Sequence, residues 1–184
     1  VVRDITERKR VEEALRQSEL KYRRLHETMT DAFVLVDLAG HILECNRTFQ
    51  EILGYTQTEL RQLTYQDVTP EKWHAFEARI VQEQILPKGF SGVYEKEYRR
   101  KDGTVFPVEL RVSLVRDDAG QPAAMSAIVR DITKRKRTEA VLRESEERYR
   151  VIAEATSDVI FVIDEESRIT FTNPAVENVF GYAS

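Results

Sequence analysis

The sequence holds one cysteine, Cys45, among 184 residues. No disulfide can form within the chain, and a lone thiol fits a reducing compartment, so a cytoplasmic setting is expected. No apolar run approaches the roughly 18–20 residues that a bilayer-spanning helix needs, and no membrane contact is expected of this segment. Glycines number seven and histidines three. The glycines form no phosphate-cradling loop, the histidines stand at no metal-ligand spacing, and no acid–base pair sits in a recognisable catalytic context. The segment is read as non-enzymatic. A formal net charge of −4 gives no general attraction to nucleic acid. The short basic run Lys134-Arg135-Lys136-Arg137 is followed by Glu139, Glu144, Glu146 and Glu147, and reads as a solvated helix face with i,i+4 ion pairs.

What the sequence does have is a repeated phrase. Val2-Arg3-Asp4-Ile5-Thr6-Glu7-Arg8-Lys9-Arg10 returns 127 residues later as Val129-Arg130-Asp131-Ile132-Thr133-Lys134-Arg135-Lys136-Arg137. Without a gap, Leu15 meets Leu142, Ser18 meets Ser145, Tyr22 meets Tyr149, Asp31 meets Asp158, Asn46 meets Asn173, and Gly54-Tyr55 meets Gly181-Tyr182. About 22 of the 54 positions in residues 2–55 are identical in 129–182, and a period of one domain plus one linker follows. Four parts are expected. Residues 1–17 read as the end of a preceding module plus a linker helix, and 18–133 as a complete domain. Residues 134–150 read as a second linker helix, and 151–184 as the opening of another module. The parent protein is expected to carry a further copy upstream. In residues 158–184, apolar Val159, Phe161, Ile163 and Phe171 are expected to lack cover.

Within residues 7–30, Val11, Leu15, Ser18, Tyr22, Leu25 and Met29 recur at spacings of four and three, a heptad seam that faces a partner helix. Thr138, Leu142, Ser145, Tyr149, Ile152 and Thr156 repeat it. Val11, Leu15, Ser18, Tyr22, Leu142 and Tyr149 are the expected homodimer seam. The alternative is an amphipathic helix lying on its own domain. Residues 32–37 and 41–45 predict a β-hairpin, Asn46 a helix N-cap and Gly54 its C-cap. Thr69 as cap and Pro70 at the first position start a longer helix, with Trp73, Phe76, Ile80 and Ile85 along one face. Three strands follow: 91–100, 104–116 and 123–131. The turn at Asp102-Gly103 joins the first two. Two strands, several helices and three strands close naturally as an α+β domain with a five-stranded antiparallel sheet and helices on one face.

These residues resemble PAS domains of bacterial signalling proteins. The resemblance rests on the repeated Arg-Asp-Ile-Thr before a charged helix and on Asp37…Gly40…Asn46…Gly54-Tyr55. It rests also on Glu95-Lys96-Glu97-Tyr98-Arg99-Arg100-Lys101-Asp102-Gly103 before a long strand. It covers 18–133 as a whole module and 145–184 as a partial one. It implies a sheet ordered 2-1-5-4-3, a helical cradle over one face, and a sensory or dimerisation role ahead of a histidine kinase or a cyclic-di-GMP enzyme. The rival is a ligand-free spacer that holds two chains in register.

The resemblance also implies a cavity between sheet and helices. By alternation it would be lined by Phe33, Leu35, Phe49, Ile52, Trp73, Phe76, Ile80, Val108, Leu110, Met125 and Ala127; the alternative is that these side chains simply fill the core. An unknown small molecule is one expected partner, the C-terminal effector of the parent another. No cofactor is identifiable. Haem-binding relatives hold iron with a histidine on the long helix, but His74 lies too near its start. A photoactive flavin needs a cysteine motif that is absent, and Cys45, replaced by Thr172 in the second copy, reads as inert. His26-Glu27 lacks the proline of a phosphoacceptor helix, and Ala153 replaces the histidine in the copy. Asp131, Ile132 and Thr133 are the expected signal junction, where the last strand becomes the linker helix. Thr133 is expected to cap that helix, and Asp131 to accept its first N–H groups or to pair with Arg135 or Arg116.

Overall fold

The computed structural model describes residues 29–181, together with positions 10, 12–14, 16, 17 and 21, which are helical; of residue 178 only the backbone is described. Val11, Leu15, Ser18 and Tyr22, the first half of the expected seam, lie outside the described residues, as does His26-Glu27. The chain divides into two units, residues 1–133 and 134–184.

In the first unit, strands β1 (Ala32–Asp37) and β2 (Ile42–Cys45) form a hairpin. Short helices α1 (Arg47–Leu53) and α2 (Gln57–Leu60) follow. Next come a tight turn at Glu71–Trp73, α3 (His74–Ile80), a π-helical turn at Val81–Ile85 and the single turn α4 (Leu86–Lys88). Strands β3 (Tyr94–Arg99), β4 (Val105–Arg116) and β5 (Pro122–Asp131) complete one five-stranded sheet in the order β2-β1-β5-β4-β3. Every neighbour pair is antiparallel. β5 is central: Val34 faces Ala127 on one side of it and Val112 faces Ala127 on the other.

The inner face of the sheet carries Val34, Val36, Phe106, Val108, Leu110, Met125, Ala127 and Val129, packed with Phe49, Leu53 and Leu60 in one core. Asn46 organises the start of α1. Its Oδ1 accepts from Phe49 N (3.0 Å) and Phe33 N (2.9 Å), and its Nδ2 donates to the Asp31 carbonyl (3.0 Å). A buried amide must find partners for its polar atoms, and this one serves as helix cap and strand clamp together.

In the second unit, α5 (Thr133–Ala155) leads to the hairpin β6 (Phe161–Ile163) and β7 (Ile169–Thr172), then α6 (Ala175–Phe180). Asn173 repeats the clamping half of the part of Asn46, accepting from Ile160 N (2.8 Å) and donating to the carbonyls of Asp158 and Ala153, while Pro174 takes the cap position of α6. The apolar positions do not repeat their burial. Phe161, Ile163, Ile169 and Phe180 are 54–62% exposed, while their counterparts Val34, Val36, Ile42 and Leu53 are at most 7% exposed. In the first unit, helices and the remaining strands cover those positions. Phe171 is also exposed and Val159 half-buried.

Gly40 turns β1 into β2 at φ +96°, and a Cβ there would stand 2.8 Å from Cε1 of Tyr65. Gly120 also has positive φ (+77°), but open space around it. Gly120→Ala is expected to cost about 1 kcal/mol of unfolding free energy from backbone strain. Gly40→Ala should cost at least about 1 kcal/mol more, from overpacking against the ring. Urea titration of both variants checks the difference.

Candidate functional site

Between the inner sheet face and the helices lies a cavity of about 40 Å³. That volume holds the centres of only a few water-sized molecules. Helical spacing brings Glu77, Val81 and Ile85 to it at i, i+4 and i+8, the last two from the π-helical turn. Strands supply Val34, Val36, Tyr94, Tyr98, Leu110, Val112, Met125, Ser126 and Ala127, and Tyr65 closes one side.

Of the eleven residues expected here, Leu110, Met125 and Ala127 line the cavity. Phe33 and Leu35 do not. The inward residues of β1 are Ala32, Val34 and Val36, and Phe33 and Leu35 are half-buried on the other face. Nearly every β1 residue is apolar, so alternation alone did not fix the phase. Val108, Phe49 and Ile80 are buried in the core away from the cavity. Phe49 meets Tyr98 edge-on, with ring centroids 6.2 Å apart. Ile52 packs beside Asp131 and Arg130 near a separate hollow. Trp73 donates from Nε1 to Glu97 (3.2 Å) and, with Phe76, builds an aromatic ladder to Tyr94.

The residues missed from sequence are charged. Lys96 points inward from β3, with no side-chain exposure, and its ammonium forms an ion pair with Glu77. It also donates to Thr69 Oγ1 (3.0 Å) and stands 4.4 Å from the Tyr98 ring centroid. Thr69 therefore does not cap the long helix; Pro70 takes the cap position, and the Thr69 hydroxyl donates to the Tyr65 carbonyl. The second oxygen of Glu77, Oε2, is buried and has no hydrogen-bond partner among the described residues. Burial pushes Lys96 down to about 8, against the pull of Glu77. The phenols of Tyr65, Tyr94 and Tyr98 are pushed up, first by burial and then by the Glu77 charge. The alternation Tyr94-x-Lys96-x-Tyr98 was the available signal: a lysine on an aromatic face needs a buried partner.

The exit of the module is a second cluster. Asp131 Oδ1 accepts from Thr133 N (2.8 Å), and Oδ2 accepts from Arg100 Nη2 (2.9 Å). The same Arg100 lies 3.8 Å from the Phe106 ring centroid and donates from Nη1 to the Ile52 carbonyl. Ile132 is buried, and its N–H bonds the Pro107 carbonyl (3.1 Å). Thr133 is thus the first residue of the helix rather than its cap, because a carboxylate fixed by Arg100 reaches the N–H first. Arg135 pairs with Glu139 and Arg116 with the Gly120 carbonyl, not with Asp131. Burial raises the Asp131 carboxyl, but the hydrogen bonds from Thr133 and Arg100 outweigh it, and the group titrates below its ordinary value. On the preceding residue, Arg130 holds Asp31 in a two-pronged ion pair at 2.7 and 3.0 Å.

His74 Nε2 faces the carbonyls of Thr69 (3.0 Å) and Gln66 (3.2 Å), so that nitrogen is a donor. Cys45 is buried and its thiol is pushed up to about 11, chiefly by burial, which disfavours a reactive thiolate. Among the described residues no group of three or more His, Cys, Asp or Glu could hold a metal ion, and no helix is long and apolar enough to cross a membrane.

Comparison with known proteins agrees with this geometry. Residues 20–132 match the family described as PAS fold, and 147–184 match one described as PAS domain. The chain belongs to the PAS family. It is 36% identical over 152 residues to a probable diguanylate cyclase, DgcE, of Escherichia coli K12, covering 81% of this chain and 13% of that protein. It is 28% identical over 131 residues to the sensor histidine kinase TmoS of Ectopseudomonas mendocina, covering 71% of this chain and 14% of that protein. The chain thus spans about one-seventh of either relative. Among solved structures, a PAS domain of an HTR-like protein from Haloarcula marismortui superimposes with a TM-score of 0.53 at 27% identity, over 67% of this chain and 99% of that one. A PAS domain from Colwellia psychrerythraea gives 0.58 at 23% identity, over 62% and 98%. The five-stranded order 2-1-5-4-3 is the fold shared with these structures.

Replacing Lys96 by Met leaves the Glu77 carboxylate buried and unpaired, and is expected to cost about 3–5 kcal/mol, while Lys96→Met with Glu77→Gln should recover most of it. A pH series adds a second check. The folded state releases the Lys96 proton near pH 8, the unfolded state near 10.5. The unfolded chain binds more protons between those values, so stability should rise with pH there until the tyrosines begin to titrate in the unfolded chain near pH 10. Urea midpoints measured from pH 7.5 to 9.5 should show the rise in the natural sequence and not in the double variant.

Proposed function

We propose that the chain is a sensory and dimerisation segment of a cytoplasmic, multidomain bacterial signalling protein whose effector is a histidine kinase or a cyclic-di-GMP enzyme. An occupant of the first module's cavity would bias two packings of a linker-helix pair, and the bias would pass down the chain. The observation that carries this reading is the Asp131 cluster. One carboxylate joins the end of α1, through Arg100, to the last residue of β5 and the first N–H of α5. A displacement of the sheet or of α1 therefore acts on the start of the linker helix, the coupled element that relay requires.

The linker helix supports the dimeric part. No residue of α5 is buried, and Leu142, Tyr149 and Ile152 of the repeated seam are 59–71% exposed. An apolar stripe at heptad spacing suits a second copy of the same helix. The relatives' names suggest the effector: two share this module with a cyclase and a kinase. The small size of the cavity favours one alternative, a ligand-free spacer that keeps two chains in register.

Two measurements test the proposal. Sedimentation equilibrium should give a dimer, and Leu142→Glu with Tyr149→Glu should weaken association at least about tenfold; a monomer in the natural sequence contradicts the dimeric part. Asp131→Ala should cost about 1 kcal/mol as a lost cap. It should also speed amide exchange in the first turns of α5 while leaving β4 unchanged. Unchanged exchange in α5 contradicts the relay.

A further inference from the structure

The cavity presents one unmet chemical demand. Glu77 is 5% exposed and its Oε1 is taken by Lys96, while Oε2 is buried without a partner among the described residues. An unpaired buried acceptor is costly, and more so when it carries charge, so a donor in the cavity is favoured. The charge balance limits what the donor is. Lys96, just behind the wall, cancels the charge of Glu77, and the other titratable groups that line the cavity are the neutral phenols of Tyr65, Tyr94 and Tyr98. A cation on Oε2 would share its carboxylate with the Lys96 ammonium, and an anion would meet the Glu77 carboxylate. The rest of the wall is apolar, with Val34, Val36 and Leu110 from the sheet. A volume of about 40 Å³ admits only a compact body.

We propose that this cavity binds a small neutral molecule with a hydrogen-bond donor, an alcohol or primary amide of a few heavy atoms, whose donor reaches Oε2 of Glu77 and whose apolar part lies on the valine and tyrosine wall. The proposal rests on the sensory reading above and names the class of its ligand. It also gives the stimulus a route outward. Glu77 and Lys96 join α3 to β3, and Arg100, at the end of β3, holds Asp131. A new bond at Oε2 competes with Lys96 for the same carboxylate.

Propan-2-ol and acetone share a skeleton and differ in the donor, so the natural chain itself supplies the test. Titration of the full 184-residue chain, followed by amide NMR shifts at Leu110, Met125 and Ala127, is expected to saturate with propan-2-ol at a concentration at least about tenfold below that for acetone, the worth of a hydrogen bond to a charged acceptor. Isopropylammonium and propanoate should bind more weakly than propan-2-ol. Equal saturation by propan-2-ol and acetone, or tighter binding of isopropylammonium, overturns the proposed ligand class and leaves a ligand-binding module standing. No saturable shift with any of the four overturns both, and leaves water as the partner of Oε2. The Glu77→Gln, Lys96→Met chain, which places an amide at that position, should lose the preference for the alcohol. Retention of the preference in that folded variant also overturns the proposal.

Discussion

The structure depends on a single carboxylate held in place by a guanidinium. Asp131 is the last residue of the central strand, and an acceptor there would ordinarily be left to solvent. Arg100, stacked on Phe106 and bonded to the end of α1, fixes it so that its other oxygen receives the first N–H of α5. A charge-assisted hydrogen bond of this kind is stronger and more directional than a neutral one. The neighbouring ion pair of Arg130 with Asp31 is exposed at Arg130 and contributes less, but it ties the same strand to the segment that precedes β1. Adjacent residues of β5 thus secure the two ends of the module.

The cavity and the exit belong to one mechanical frame. Lys96 and Arg100 lie four residues apart, Lys96 within β3 and Arg100 just past its end. The first is drawn inward by Glu77, the second toward Asp131. A buried ion pair contributes little net stability against an apolar alternative, but breaking it is costly, so it fixes the register of α3 on β3 more than it strengthens the fold.

Much of this was legible in the sequence, and the failures have physical reasons. β4 alternates clearly, with Val108, Leu110 and Val112 set against Glu109 and Arg111, and its phase was read correctly. β1 has apolar residues on both faces, because it sits inside the sheet with its outer face half-covered, and its phase was misjudged by one residue. The long helix was misjudged in the same way. Its apolar residues Trp73, Phe76, Ile80 and Ile85 suggested one stripe; of these only Ile85 reaches the cavity, where the stripe runs through Glu77, a charge that an apolar template passes over. Lys96 was hidden for the same reason. Asn46 and Gly54 were legible because capping depends on local backbone chemistry, whereas the partner of Asp131 lies 31 residues away and could not be chosen from sequence among several arginines.

The central claim is that the sheet and the linker helix are energetically coupled through Arg100 and Asp131. A double-mutant cycle with Arg100→Met and Asp131→Asn, read by amide exchange in the first turns of α5, measures that coupling directly. The account predicts an interaction energy of about 1 kcal/mol or more, with each single variant loosening the helix nearly as much as both together. Strictly additive effects would show that the helix starts independently of the sheet, and would contradict the account.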